Sequence, residues 1–286
     1  MFCSDSHFKL TKGPACTFTG SLNCFNQLTL VNDMATEIPT GGKPSFVTKY
    51  RFSVQPNFGE HLVTMRASAL FIGLTEREYS EVISHGRART FPRDELLYAQ
   101  GQPVNCMILL QSGSVKHTQL SASGEEVLLW MSGSGDALNL QTEAKPRGYS
   151  CSARAMEQCG AFVWDYTRVQ ALLLQYPQIE KNITQILASR LKELEERFRE
   201  IATEKVATRL AFALLRLLKQ VGKVSLEGTQ VLLSREELAQ MTGTTLFTIS
   251  RILSRWAELG FVVPRREAIL ISNPKGLESV GSERSA

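Results

Sequence analysis

The chain has 286 residues, 43% of them hydrophobic and 21% charged, a composition typical of globular proteins large enough for two cores. No apolar run reaches the ~18 residues of a membrane span, and the first residues lack the layout of a secretory signal, so we expect a cytoplasmic protein with no membrane partner. The net charge is only +4, and this excess lies between residues 203 and 272, where ten Lys and Arg accompany six Glu.

Residues 1–60 contain Gly-, Ser-, Thr- and Pro-rich pieces with no lasting helical or alternating pattern. This pattern predicts a flexible N-terminal extension, much of it dispensable, with Met34 and Met65 as alternative start positions. Six cysteines include no Cys-x-x-Cys pair, so we expect free thiols, no metal site and no cofactor. The four histidines have no nucleophile or metal-ligand spacing around them, and the chain is therefore not expected to be an enzyme.

Residues 61–176 contain a helical piece at 68–84, for which Thr75 is the expected cap, followed by short apolar segments. The segments recur roughly every ten residues between Gly- or Pro-containing turns, which predicts a β sandwich or a barrel-like jelly roll. These predicted strands are 87–91, 96–98, 106–110, 114–120, 127–131 and the strands within 150–164. A short helix at 166–174 is expected to end before Pro177, because proline cannot continue it.

Residues 177–202 form a single predicted helix with an apolar seam whose members are spaced by three and four, close to the a and d positions of a coiled coil. The seam consists of Ile183, Leu187, Leu191, Leu194, Phe198 and Ile201. Such a seam needs a partner. Burial against its own domain is one alternative, and a parallel two-helix contact between subunits is the one we favour.

Residues 203–272 contain a helix at 205–218, a small hairpin around Glu227–Gly228, and then two short helices between Ser234 and Gly260. Ser234 and Glu237 have the spacing of a capping box, and Gly243 is free to adopt the positive φ that the break between the helices needs. Thr244 or Thr245 is expected to cap the second helix. Its predicted buried side consists of Ile249, Ile252, Leu253, Trp256 and Leu259.

The other side of this second helix is a mostly polar stripe, and two short strands around a basic turn at 264–267 follow it like the wing of a winged helix. We therefore interpret 203–272 as a DNA-binding winged helix-turn-helix rather than an ordinary helical hairpin. The candidate DNA-contacting residues are Thr244, Thr245, Phe247, Ser250, Arg251, Ser254, Arg265 and Arg266. Residues 273–286 are predicted to be a C-terminal tail.

The order of these parts resembles the Crp/Fnr superfamily of bacterial transcription regulators from about residue 66 to 272. Its most specific motifs are LSREELAQMTGTT, TISRILSRWAELGFV and the upstream RFREIATEKVATRLAFALLRLL. The resemblance implies an α+β fold with an N-terminal β jelly roll of the cyclic-nucleotide-binding type, a long dimerisation helix and a C-terminal winged helix-turn-helix. It further implies a homodimer that regulates transcription at palindromic double-stranded DNA, with RNA polymerase as a further partner.

The sensing chemistry of the family matches this chain poorly. Cyclic-AMP-binding members have a Gly-Glu pair after a turn that Gly135–Leu138 resembles, and an Arg-Ser or Arg-Thr step that holds the phosphate. Here Asn139 and Leu140 occupy the first pair and Tyr149–Ser150 the second, with Arg147 as an alternative phosphate partner. The effector is therefore unknown and is not expected to be cyclic AMP. The candidate effector pocket consists of Asp136, Leu138, Asn139, Leu140, Tyr149 and Ser150.

Three alternatives stay open at this stage. An iron–sulfur regulator would need Cys3, Cys16, Cys24 and Cys159 together, although their spacing differs from that of the family. A haem-based gas sensor would need an axial ligand among His61, His85 and His117, each of which is more simply a surface or loop histidine. A sensor that has lost DNA binding would instead use Leu246 and Phe247 to bind a protein.

Phe247 also stands where many relatives of this family have a Glu that accepts a hydrogen bond from cytosine. An aromatic ring cannot accept that bond but can contact a thymine methyl group. We therefore expect a DNA half-site that differs from the common one at the base pair under Phe247, with Arg251 reading a guanine edge.

Overall fold

The computed structural model describes residues 65–141 and 148–282, so the predicted extension at 1–60 lies outside the described residues. After a 3-10 turn at Ala69–Phe71, the helices are α1 (Glu76–Ser84), α2 (Tyr166–Gln175), α3 (Pro177–Thr203), α4 (Val206–Val221), α5 (Arg235–Thr242), α6 (Leu246–Glu258) and α7 (Pro274–Ser282). The strands are β1 (Arg87–Phe91), β2 (Leu96–Tyr98), β3 (Cys106–Ser112), β4 (Val115–Leu120), β5 (Glu126–Ser132), β6 (Ala137–Leu138), β7 (Ser152–Ala155), β8 (Cys159–Asp165), β9 (Lys223–Ser225), β10 (Gly228–Val231), β11 (Val262–Pro264) and β12 (Ile269–Ile271).

The first eight strands form two antiparallel four-stranded sheets, with the orders β1-β8-β3-β6 and β2-β7-β4-β5. Strand β3 shows why the sequence here is continuously apolar. Ile108 and Leu110 belong to the core that also contains residues of the second sheet, while Met107 and Leu109 pack against the helices on the other face. A strand covered on both faces loses the polar alternation of an exposed sheet. The predicted jelly-roll fold is confirmed.

The helical piece predicted at 68–84 is interrupted at Gly73, which has a φ of +83°. Thr75 caps α1 as predicted, and Glu78 completes a capping box by accepting the Thr75 backbone amide. On the buried side of α1, the Trp164 indole Nε1 donates to the Val82 carbonyl at 2.8 Å. The helical piece therefore covers one face of the first sheet.

Helix α3 begins at Pro177, in the first turn, where a missing backbone amide costs nothing. Its first turns are fixed to the β domain, because Ile179 and Ile183 are buried and Asn182 Nδ2 donates to the carbonyls of Leu70 at 2.9 Å and Ile72 at 2.8 Å. Beyond Ile183 every member of the apolar seam is exposed. Within the two described ranges, no helix combines the length and hydrophobicity needed to cross a membrane.

The C-terminal part packs α4, α5, α6 and α7 with a third antiparallel sheet of order β11-β12-β10-β9. Its core contains, among others, Leu210, Leu214, Leu238, Ile249, Leu253 and Trp256. The predicted wing is the hairpin of β11 and β12, and the predicted hairpin around Glu227–Gly228 is that of β9 and β10. These pieces form the predicted winged helix-turn-helix, although the domain boundaries along the chain stay a prediction.

Two sequence-based expectations are wrong. The C-terminal tail predicted at 273–286 contains α7, where the Asn273 side chain accepts the Gly276 amide at 3.1 Å and Leu277 is fully buried. Leu259 was expected on the buried side of α6 but is exposed, because the helix ends at Glu258 and Leu259 is its C-cap. Tertiary packing decides the burial of Leu277, whereas the end of the helix accounts for the exposure of Leu259.

The capping box at the start of α5 gives a direct test of local structure. Ser234 Oγ accepts the Glu237 amide at 3.1 Å, and a Glu237 carboxylate oxygen accepts the Ser234 amide at 2.8 Å. Because Ser234→Ala removes one of these bonds, we expect the free energy of unfolding in urea to fall by about 1 kcal/mol. The matched control is Ser254→Ala on the exposed face of α6, which should change it by less than about 0.5 kcal/mol. Equal effects would contradict the capping role.

Candidate nucleic-acid interface and sensor pocket

The turn between α5 and α6 depends on one glycine. Gly243 has a φ of +62°, as predicted, in the left-handed region that residues with a Cβ rarely adopt. Its amide and that of Thr244 donate back to the carbonyls of α5, and the Thr244 bond to Ala239 is 3.0 Å long. Thr245 is the residue that caps α6, with its Oγ1 accepting the Thr248 amide at 3.2 Å. The turn therefore fixes the direction in which α6 leaves.

Helix α6 has one buried and one open side. Ile249, Leu253 and Trp256 are buried in the core, whereas the opposite side contains Phe247, with 76% of its surface exposed, and exposed Arg251. Within the described residues, the Arg251 guanidinium makes no hydrogen bond or ion pair. Ser254 and Thr245 are exposed, and Ser250 and Thr244 are half-buried. This surface presents an arginine fork, hydroxyls and one aromatic ring to the outside.

The wing places its two arginines on an exposed turn, where the Arg265 amide donates to the Ala268 carbonyl at 2.8 Å. The Arg265 side chain pairs with Glu227 at 2.9 Å, and both partners are largely exposed. An exposed pair of this kind stabilises by at most about 1 kcal/mol, so a phosphate can replace Glu227. The structure thus puts all eight candidate DNA-contacting residues on the turn, α6 and the wing.

The candidate effector residues do not form one pocket. Leu138 is buried in the core between the two sheets, whereas Leu140 packs into the helical cluster on the other face of the first sheet. Asn139, between them, has a φ of +57° and donates its side-chain amide to the Cys106 carbonyl. Ser150 is exposed. Arg147 lies outside the described residues.

The other two candidates, Asp136 and Tyr149, have partners of their own. The Asp136 carboxylate accepts the Gly133 amide at 2.8 Å; burial raises its pKa, and this hydrogen bond and the Arg190 charge oppose that rise. Tyr149 is buried, and its hydroxyl donates to Asn105 Oδ1 at 2.9 Å. Leu140 and Tyr149, the residues expected at the ribose- and phosphate-binding positions of cyclic-AMP-binding members, are thus both buried.

Two pairs of stacked rings lie between the sheets. The sequence did not predict either pair. Tyr98 stacks on Tyr149 with centroids 4.3 Å apart, and His117 stacks on Trp130 at 4.7 Å. His117 links the pairs, because Nδ1 lies 3.3 Å from the Tyr98 hydroxyl and Nε2 lies 3.0 Å from Ser132 Oγ. The expectation of a surface or loop histidine is wrong for His117, which is buried on β4, and with both ring nitrogens in hydrogen bonds it has none free to ligate haem iron. The four rings come from different segments of the chain, so no spacing in the sequence predicts that they stack.

A cleft of about 380 Å³ lies outside this ring cluster, between the β5–β6 turn and α3. Polar side chains on its α3 wall include Gln185, Ser189 and Arg190, and Trp130 is on the opposite wall. Arg190 Nη2 donates to the Ala137 carbonyl at 2.6 Å, which ties α3 to the β domain at the cleft. Of the candidate effector residues only Asp136 lines it.

The three cysteines of the described residues, Cys106, Cys151 and Cys159, are free thiols and form no metal-binding cluster. Cys159 is buried, and its thiol donates to the Ser114 carbonyl at 3.3 Å; burial and the nearby Glu157 charge raise its pKa to about 11. Among residues 65–141 and 148–282, no three His, Cys, Asp or Glu side chains lie close enough to hold a metal ion. Cys3, Cys16 and Cys24 of the iron–sulfur alternative, and His61 of the haem alternative, lie outside the described residues.

Comparisons with known proteins match both halves of this architecture. A cyclic nucleotide-binding domain family matches residues 88–176, and a Crp-like helix-turn-helix domain family matches residues 208–280. The Cyclic AMP receptor protein of Thermus thermophilus is 30% identical over 216 residues, which cover 72% of this chain and 96% of that protein. A CRP-like cAMP-activated global transcriptional regulator of Mycobacterium tuberculosis is 26% identical over 189 residues, with coverages of 65% and 84%.

Solved structures show the same fold. The structure of FixK2 from Bradyrhizobium japonicum superposes with a TM-score of 0.60 at 18% sequence identity, covering 70% of this chain and 99% of that chain.

The buried His117 predicts a pH dependence of stability. Burial, together with the Arg190 charge, lowers the His117 pKa from 6.5 to about 3, so below pH 6.5 the unfolded chain takes up a proton that the native protein does not. The stability that this neutral imidazole provides is complete above pH 6.5 and is lost as the pH falls, by about 1.4 kcal/mol per unit. We expect His117→Gln to remove this slope between pH 6.5 and 4.5 in urea unfolding. Exposed His85→Gln is the matched control, and equal responses would contradict the assignment.

Proposed function

The chain belongs to the Crp/Fnr superfamily of transcription regulators, and we propose that it acts as a homodimer that binds palindromic double-stranded DNA and responds to a signal sensed in its β domain. The observation that carries this proposal is the open face of α6. A helix capped at Thr245 and anchored by Trp256 presents Arg251 to the outside with no partner within the described residues. An arginine fork in this position fits the O6 and N7 acceptors of guanine in the major groove.

The second support comes from α3. Its apolar seam is exposed from Leu187 to Ile201, and the side chains of Phe198 and Leu191 are the most exposed of the seam. An apolar stripe with a and d spacing along a helix is stabilised when a second such helix covers it. A second copy of this chain has the matching stripe, and a two-fold axis along α3 gives two α6 helices for two half-sites.

The signal differs from that of the relatives whose names include cyclic AMP. Leu140 stands at the position of the ribose-binding carboxylate, and it packs into the core. Tyr149 stands at the position of the phosphate-binding arginine and stacks on Tyr98. Without either charged group, cyclic AMP loses the contacts that favour its binding. We propose that the effector is a different one and that the cleft beside α3 is the place where it binds.

Family membership suggests the transcription partner, the location and the absence of catalytic activity. We propose RNA polymerase as the transcription partner, the cytoplasm as the location, and no catalytic activity for the chain. The alternative in which the open face of α6 binds a protein rests on Leu246 and Phe247, both exposed. Selection of binding sites from random DNA separates the two functions, because a protein-binding surface enriches no palindrome.

Arg251 provides the first test. We expect Arg251→Ala to weaken binding to the selected palindrome by about 1–3 kcal/mol per half-site and to relax the preference at one G·C pair, since the bidentate contact is lost. The measurement is fluorescence anisotropy with the selected and the altered duplex. Arg77→Ala is the matched control, because it removes one exposed positive charge far along the chain from α6. If the affinity falls equally for all DNA sequences, Arg251 contacts a phosphate and does not read a base.

Leu191 provides the test of the dimer. In Leu191→Glu a carboxylate enters the apolar seam, and we expect the dimer dissociation constant in sedimentation equilibrium to rise by at least about tenfold. Leu174→Glu is the matched control, since Leu174 on α2 is 86% exposed but lies outside the seam. A dimer that tolerates both substitutions equally would place the subunit contact elsewhere.

A further inference from the structure

Strands β4 and β5 have two different neighbours. His117 pairs with Trp130 across the strands and faces the aromatic cluster inside the β domain. The next pair, Lys116 and Met131, faces the opposite way. Met131 and Leu128 are fully buried in the same core as the helices of the helix-turn-helix. The hydrophobic core of the DNA-binding part therefore continues onto the outer face of this strand pair.

A partly buried ion pair fixes this contact in one orientation. Lys116 Nζ lies 2.6 Å from Glu237 Oε1, and the two side chains are only 19% and 14% exposed. Burial alone would raise the pKa of Glu237, but hydrogen bonds from Lys116 and Ser234 hold it below its usual value, so the carboxylate is charged. Without Lys116 this charge would be left without its counter-ion at the interface. Unlike the apolar contact, the pair has a required geometry.

The same interface contains a close backbone approach. Gly133 follows β5 and lies against the end of α4, where an added Cβ would overlap the Gln220 carbonyl oxygen. Two further ion pairs, Arg93 with Glu267 and Lys223 with Glu157, join the two parts at the periphery. The first is exposed on both sides and contributes little. Of these three ion pairs, the one between Lys116 and Glu237 is the least exposed.

The docked arrangement leaves the reading side of α6 open. Phe247 and Arg251 are exposed although α5 is held against β4 and β5. Because α5 and α6 share one core and one tight turn, holding α5 also fixes the direction of α6 relative to α3. The contact is therefore suited to orienting the reading helix and does not cover it.

We propose that Lys116 is a positioning residue for DNA recognition: its ion pair with Glu237 holds the helix-turn-helix on β4 and β5, so that the two reading helices of a dimer meet half-sites at one fixed spacing. This inference rests on the proposed function. A DNA turn has about 10.5 base pairs, so one inserted pair rotates a half-site by roughly 34°. A rigidly held pair of helices discriminates against that rotation, and a loosely held pair does not.

The experiment measures binding to the selected palindrome, to the same site with one base pair inserted at its centre, and to a single half-site. For the unsubstituted protein we expect the insertion to weaken binding by about tenfold or more. In Lys116→Met and in Gly133→Ala this factor should fall below about threefold, while affinity for the single half-site stays within about twofold. Lys116→Arg, which retains the charge, should restore the discrimination. Arg87→Met is the matched control, because it removes an equal charge from an exposed pair with Asp165 in the other sheet.

The outcomes separate the two proposals. If the unsubstituted protein selects a palindrome but Lys116→Met and Gly133→Ala discriminate spacing as it does, the positioning role is overturned and the proposed function stands. The role is likewise overturned if both variants lose half-site affinity in the same proportion as palindrome affinity, since that result reports general damage. If the unsubstituted protein selects no DNA sequence, the proposed function fails and the positioning role fails with it.

Discussion

The contact of one strand pair with two different partners is the constraint on which the rest of the structure depends. The inner face of β4 and β5 holds His117 and Trp130 in the aromatic cluster, and the outer face packs Met131 into the core of the helix-turn-helix. Because side chains alternate along a strand, neither face can shift without moving the other. Trp130 and Met131 also line the cleft beside α3, so a ligand there would act on the strands that hold the DNA-binding part.

Among the described residues, the seam of α3 and the open face of α6 are exposed, and each favours a particular partner. The seam of α3 is apolar and exposed beyond Ile183, which favours a second helix of the same kind. The open face of α6 is polar and basic at Arg251, which favours a nucleic acid. The opposite side of α6 is buried, and the burial of Ile249, Leu253 and Trp256 stabilises the helix in this position. The exposed arginine is thereby held in a fixed place.

Features set by neighbouring residues were predictable from the sequence. The capping box of Ser234 and Glu237 and the positive φ of Gly243 depend on contacts within a few residues, and both are confirmed. The Lys116–Glu237 pair joins residues 121 positions apart, and the four stacked rings come from separate segments, so no local pattern indicates them. The candidate effector pocket illustrates the same limit, because Leu138 and Leu140 are only two positions apart and yet lie in different cores.

The central claim is that an open, anchored α6 reads a DNA sequence. The most direct measurement is the affinity for the selected palindrome and for a scrambled duplex over a range of salt concentrations. We expect at least about 10³-fold tighter binding to the palindrome near physiological salt, with affinity for both duplexes falling steeply as salt rises. Equal affinity for the two duplexes, or an affinity that does not change with salt, would contradict it.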